Sequence, residues 1–487
     1  MIKIKKTVIY LFIFLLLFLF LTGCEIKVNI NNDNKGDIEE SNNQKINDRN
    51  DERIDEKIND ETNPSDSVVI RPDEKITDSY DDESLNNELS KLGAKHLNKK
   101  YLNITSNNNI YNTDEYKNYK DKVLDFCNKI GSKILYDNYD GTNITFSPIS
   151  VFLCVAMSTG IMKDELALNE VLNGLGITLE ELEYVKYMID RLCASGDTQI
   201  LDVVNTLWIN DEDLFYEDTL ATLGKKFYCN ALYAPFRTEN IKANQAVREF
   251  VKEKTRGLID QDFKLNNKTE CVLMNILYVK DCWKNNGKLS GQPETFTRDN
   301  GETIEEEFLI GDYQIGKIGR RDNYSFANIS TINGRKLVFV LPNDGISITQ
   351  LLNKETFDDV TKNKYRDTSE GLSTAIYKTK CIFPKFTSDG DVDLATVMEE
   401  EFNIRKIFNA FNSDTKELYV SKMKQKARLV VDEFGFEGAA VTYMVFGATS
   451  VGPTNIIYET FIANKTFLYF IMDRDGIVLF TGIVNNI

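Results

Sequence analysis

Hydrophobic and polar positions divide the chain into three stretches. Lys3, Lys5 and Lys6 precede an unbroken apolar run from Val8 to Leu21. Residues 25–90 then hold 20 Asp or Glu against 8 Lys or Arg, with abundant Asn and Ser and few aromatics. Such a segment cannot bury enough apolar surface to fold, and its self-repulsion favours extension, so it predicts a solvated tether. Near its end, Ser84 to Leu97 places Leu85, Leu89 and Leu92 on one helical face. That pattern predicts either a short helix before the domain or nothing stable. From residue 114 to 487 the chain reads as globular.

One run inside the globular part fits neither ordinary fate of a segment. Glu433-Phe434-Gly435-Phe436-Glu437-Gly438-Ala439-Ala440-Val441-Thr442 is proline-free and mostly small after its first residues, and leads into Tyr443-Met444-Val445-Phe446-Gly447-Ala448-Thr449-Ser450. A strand meant to stay exposed would carry charge or proline, and a helix this rich in Gly and β-branched residues would be weak. The run suits a strand held in reserve. Gly438, Ala440 and Thr442 alternate as small side chains able to slide between strands already in place. Gly435 is expected to absorb the backbone rotation this requires.

These residues resemble the proximal hinge and reactive-centre loop of a serpin, and the flanks make the resemblance specific. Asn143-Ile144-Thr145-Phe146-Ser147-Pro148-Ile149-Ser150 is similar to the serpin segment that opens the helix beneath the central sheet. Asn275 and Trp283, in Val272-Leu273-Met274-Asn275-Ile276-Leu277-Tyr278-Val279-Lys280-Asp281-Cys282-Trp283, resemble the third strand of that sheet. Leu341-Pro342-Asn343, Phe383-Pro384-Lys385-Phe386, the run Ala463 to Ile471 and Leu479-Phe480-Thr481-Gly482 follow in serpin order and near serpin spacing. The resemblance covers residues 114 to 487 and implies an α+β fold: a large, mostly antiparallel central sheet, two smaller sheets and about nine helices on one core.

The N-terminal run ends in Leu21-Thr22-Gly23-Cys24. A basic start, an apolar core and a small Thr-Gly pair before Cys resemble a bacterial lipoprotein signal over residues 1–23, cleaved just before a diacylated Cys24. Two or three acyl chains on one cysteine suffice for stable anchoring. Residues 24–113 would then tether the domain to the outer face of the bacterial membrane, exposed to the extracellular space. An uncleaved anchor or an ordinary signal peptide is the alternative, although 14 apolar residues from Val8 to Leu21 are short for a spanning helix.

Net charge is −17, and loss of Lys3, Lys5 and Lys6 with the signal takes it to −20. Nucleic acid is therefore not an expected partner. Beyond Cys24, the cysteines are Cys127, Cys154, Cys193, Cys229, Cys271, Cys282 and Cys381, an odd number without a C-x-x-C. Buried free thiols are the default reading, with a disulfide left open. The one histidine, His96, lies in or beside the tether. Triad hydrolysis, His-metal catalysis and histidine proton shuttling need an imidazole in a packed site, and no phosphate-loop, dinucleotide or nucleophile-elbow motif occurs. No enzyme activity, cofactor or metal is expected, and the domain is taken as a monomer.

The resemblance implies suicide inhibition. A serine protease cleaves the loop, forms an acyl bond to the residue on its N-terminal side, and is dragged and distorted as the loop becomes a new sheet strand. Sixteen residues on from Glu433 lies Thr449, with Ser450 after the cut; counting back from Phe467 by the spacing common in animal serpins gives Asn455. Thr449-Ser450 is preferred, because hinge length governs the mechanism and the distal side tolerates insertion. A small β-branched residue at the cut favours elastase-like or subtilisin-like proteases. A sheet-opening cluster is expected of Ser147, Ser150, Asn275, Gln425 and Trp283. Two residues depart from the family. Gln425 stands where a histidine is frequent and can still donate and accept. Phe436 stands where the first inserting residue is small. Overpacking its slot would cost ~1–3 kcal/mol and slow insertion. Phe434 and Phe436 thus favour the alternative, a non-inhibitory surface binding protein on the serpin fold.

Overall fold

The computed structural model describes residues 82–102, 109–196, 199–212, 214–284, 289–362, 375–401, 411–412, 417–418, 423–437 and 455–487. The signal segment, Cys24 and the tether up to residue 81 lie outside these, as does the loop from Gly438 to Thr454. Nine α-helices and three main sheets make up the described residues.

The largest sheet has eight strands. Across it run β1 (Lys95–His96), β3 (Cys229–Tyr233), β2 (Gln199–Ile209), β4 (Cys271–Cys282), β7 (Gly435–Phe436), β6 (Lys424–Val431) and β5 (Phe386–Asp393). Ala194–Gly196 pairs separately with β2. All pairs are antiparallel except β2 with β3. A six-stranded sheet includes Lys336–Pro342, Phe467–Met472, Val478–Val484 and Ile144–Phe146, and a five-stranded one includes Asn455–Ile462 and Ala375–Pro384. The α+β architecture expected of the sequence is the one observed.

Two apolar layers flank the large sheet. On the inner side, α2 (Asp114–Asn138) buries Tyr116, Tyr119, Val123, Ile130 and Ile134, and Thr113 caps its start by accepting the Tyr116 amide at 3.2 Å. Beside it α3 (Pro148–Ser158) is apolar all round because nearly every residue of it is buried. Pro148 occupies its first turn, where the missing N–H costs nothing. The Ser147 side chain is left free for another task.

The other layer is built on the short segment that precedes residue 114. The helix α1 (Asp82–Lys91) buries Leu85 and Leu89, and Leu92 follows just past its end, packed with Trp208 of β2, Ile276 of β4 and Val247 and Phe250 of α4 (Asn240–Lys254). Trp208 meets Phe250 edge to face at 5.4 Å. The short helix that the sequence allows before the domain is therefore formed, with its leucines packed. The polar residues around those leucines conceal this from composition alone.

Removing a buried leucine side chain here should cost ~2–4 kcal/mol. Leu89→Ala is expected to lower the thermal unfolding midpoint clearly. Glu88→Ala, which breaks only an exposed pair with Lys91, should leave it within error. Equal midpoints for the two variants would return this segment to the tether.

Candidate functional site

The hinge is built on a tight reversal after β6. The Asp432 carboxylate accepts from the amides of Phe434 (2.8 Å) and Gly435 (3.1 Å), an Asx turn that returns the chain beside β6. Burial raises the pKa of this carboxyl and the two amides oppose the shift. The two residues of β7 then lie between strands, with Gly435 opposite Cys282, and Phe436 opposite both Asp281 and Val431. Upstream, the Glu433 carbonyl accepts from the Leu289 amide at 2.7 Å, and its carboxylate meets Lys385 at 3.3 Å.

Gly435 serves a different purpose from the one expected. A Cβ there would sit 2.0 Å from the Asp281 carbonyl oxygen, so the glycine permits close approach of two backbones and not a rotation. The rotation falls at Glu437, whose φ is +48°. Left-handed backbone costs a non-glycine residue about 1–2 kcal/mol. The Glu437 amide still donates to the Val430 carbonyl at 3.0 Å.

Phe436 also departs from expectation. Its ring does point inward, but it is already fully buried, 5.9 Å from Trp283 and edge-on to it. Trp283 meets Phe383 edge to face at 5.6 Å, donates its indole N–H to the Asp432 carbonyl at 2.8 Å, and donates its backbone amide to the Phe434 carbonyl at 3.1 Å. The slot is thus shaped for an aromatic ring and filled before any cleavage.

Beyond the Phe436 rung the sheet is divided. β4 pairs with β2 along its whole length, and β6 with β5 along its whole length. Among the described residues, no strand pairing joins 271–280 of β4 to 424–430 of β6. Two long strand edges face each other across this interval.

The five residues expected to form one cluster lie in three places. Gln425 clamps β6 onto the start of α3: its Oε1 accepts the Ser147 amide and its Nε2 donates to the Ser147 carbonyl, both at 2.8 Å. Ser147 Oγ donates to the Leu479 carbonyl at 2.7 Å and lies 3.0 Å from Ser150 Oγ. Asn275 belongs to the other half of the sheet. Its Nδ2 donates to Asn205 Oδ1 at 2.8 Å, and Asn205 Nδ2 donates to the Phe227 carbonyl at 2.7 Å. Asn275 Oδ1 is buried with no hydrogen-bond partner among the described residues. Trp283 sits apart, at the hinge. Separation follows from the divided sheet, which holds Asn275 and Gln425 on opposite edges.

Sequence reasoning missed Asn205, Asp432 and the groups around Glu437. A polar Asn inside Leu201–Ile209 was the available signal for the first. Gly438, Ala439, Ala440, Thr442, Thr449 and Ser450 lie outside the described residues. All seven cysteines after Cys24 are free thiols, and burial pushes Cys193 up to about 11 and Cys154 and Cys381 up to about 12.

Known proteins with this arrangement can now be compared. The mouse neuroserpin is 24% identical over 380 residues, covering 72% of this chain and 89% of that protein. Serpin A3-1 of cattle is 27% identical over 365 residues, covering 71% and 83%. The crystal structure of the thermophilic serpin tengpin in its native state superposes with a TM-score of 0.65 at 22% identity, covering 81% of this chain and all of tengpin. The family model for serpins, described as serine protease inhibitors, matches residues 121–487. An unclosed sheet with a hinge at its mouth is thus carried by a chain that belongs to the serpin family.

Proposed function

We propose that this protein inhibits an exported serine protease by loop cleavage, acyl-enzyme trapping and insertion of the loop between β4 and β6. The divided sheet, with Gly435 already paired to β4 and Phe436 to both β4 and β6, carries this reading. The protease serine oxygen attacks the Thr449 carbonyl carbon and the bond to the Ser450 nitrogen breaks. That nitrogen leaves as an amine with a proton from the protease, and Thr449 remains as an ester on the enzyme. For the protease to be trapped, insertion must distort it before water reaches that ester. Inhibition is a race between the two.

The existing register indicates what insertion would achieve. Extended past Phe436, it sets Glu437 opposite Lys280 and Val430, and Thr442 opposite both Asn275 and Gln425. Gly438, Ala440 and Thr442 would follow Phe436 on the inner face. The Thr442 hydroxyl would then reach the one amide oxygen of the Asn pair that lacks a donor.

A small residue at the cut suits elastase-like or subtilisin-like proteases. A lipid-anchored monomer on the outer face of a bacterial membrane, held through Cys24, fits the N-terminal pattern. The alternative of a non-inhibitory binding protein drew on Phe434 and Phe436, and both are buried in the hinge. They neither offer a binding surface nor wait to be forced into a slot.

Incubated with subtilisin or an elastase, the signal-free domain should give a complex that survives denaturing gels and release a peptide beginning at Ser450. Clean cleavage without a complex, across these and further serine proteases, would support the binding alternative. Thr442→Arg places a charge where the register faces the core. It is expected to abolish the complex while cleavage continues, read on the same gels. Cys24→Ser in intact cells should move the protein from the membrane to the soluble fraction. Unchanged membrane retention would point to an uncleaved anchor.

A further inference from the structure

Glu437 is the last described residue before the loop, and its side chain occupies the mouth of the divided sheet. The Tyr278 hydroxyl of β4 hydrogen bonds its carboxyl, and its Oε2 is buried with no hydrogen-bond partner among the described residues. Lys280, one turn of the pleat away on β4, is buried, and so is the Asp432 carboxylate at the hinge reversal. Arg256, just beyond α4, lays its guanidinium 5.5 Å from the Tyr278 ring and reaches Asp202 of β2 at 3.5 Å. Tyr278, Lys280, Asp432 and Arg256 are thus the charged and titratable groups facing Glu437, with Asp202 behind Arg256 and the buried Cys282 thiol beside Lys280.

Burial works against both charges of the central pair. It pushes the Glu437 carboxyl up to about 7, with Lys280 and the Tyr278 hydrogen bond opposing, and it lowers the Lys280 pKa, with Glu437 opposing. Attraction between the two is real, yet desolvation outweighs it at Glu437. A carboxyl that must be buried for the hinge to dock is better accommodated neutral.

We propose that Glu437 is a positioning residue for loop insertion: seated against Tyr278, Lys280 and Arg256, it fixes where the loop leaves the sheet, and its proton holds the hinge docked. Glu433 turns its carboxylate to Lys385, and the Phe436 ring carries no ionisable group. Left-handed backbone at Glu437 ends β7 at this residue, and the carboxyl beside it decides how firmly those two rungs stay made.

The sign follows from linkage. A released hinge puts Glu437 in water, near its ordinary value of 4.5, whereas the docked hinge holds it near 7. The docked state binds the proton more tightly, so docking strengthens as pH falls from about 7 to 4.5 and weakens as pH rises through that window. Between pH 5.5 and 7.5 the docking equilibrium should change roughly twentyfold. Acid would thus keep the first rungs at the mouth made, and neutral pH would loosen them. Any consequence for inhibition rests on the insertion reading above, but docking itself can be measured without a protease.

The test is hydrogen–deuterium exchange of the uncleaved chain, following the amides of Phe434 to Glu437 at pH 5.5 and 7.5 after correction for intrinsic rates. Wild type should lose protection at these amides by roughly twentyfold on going to pH 7.5. Glu437→Gln, which keeps the shape and the polar contact but cannot ionise, should stay protected at both. A pH-independent wild-type hinge would overturn the proposal, as would the same pH dependence in Glu437→Gln. Failure of the chain to trap any protease would leave this exchange result intact, so the two ideas fail separately.

Discussion

Everything distinctive about this fold depends on two strand edges that, among the described residues, face each other without a strand between them. Residues 271–280 of β4 and 424–430 of β6 each pair fully on their far side and, among the described residues, with no strand on the near side. Backbone N–H and C=O groups left without a partner forgo stabilisation, and a net gain of ~0.5–1.5 kcal/mol per hydrogen bond accumulates quickly over a strand. Some ten inserted residues would contribute on the order of 10 kcal/mol. On the insertion reading proposed above, the uncut protein would hold that stabilisation unrealised behind a barrier.

The residues around this gap fall into place as its fittings. Gln425 and Ser147 brace β6 on the start of α3, and Asn205 with Asn275 brace β4 on β2, so each lip is held by its own half of the molecule. Trp283 anchors the hinge by one indole hydrogen bond, one backbone bond and one edge-on ring. The first rung is complete and the second residue is seated. Glu437 then turns away. Among the described residues, the strand begun at the mouth ends with Phe436.

Much of this was legible in the sequence, and the failures have physical reasons. Small alternating residues after Glu437, together with ordered matches over the globular part, predict the α+β fold and the place of the hinge. The roles of hinge residues are not readable that way. Gly435 looks like a pivot because glycine permits rotation, but it is required here for a backbone contact. Phe436 looks too large for a slot because the slot's walls, Trp283 and Phe383, come from distant segments. Asn275 and Gln425 look like one cluster because a closed sheet would join them, and this one is open. Leu85, Leu89 and Leu92 carry the right period, but their partners Trp208, Val247 and Phe250 are set by the tertiary fold.

The central claim is that stabilisation is stored across the β4–β6 gap and released by loop insertion. Its most direct measurement is the thermal unfolding midpoint of the signal-free domain before and after a single cut between residues 438 and 454. The account predicts that the cut protein, with its loop free to pair along both edges, unfolds well over about 10 °C higher than the intact one. A cut protein that unfolds at the same temperature or lower would contradict it, because the loop would then have gained nothing by being released.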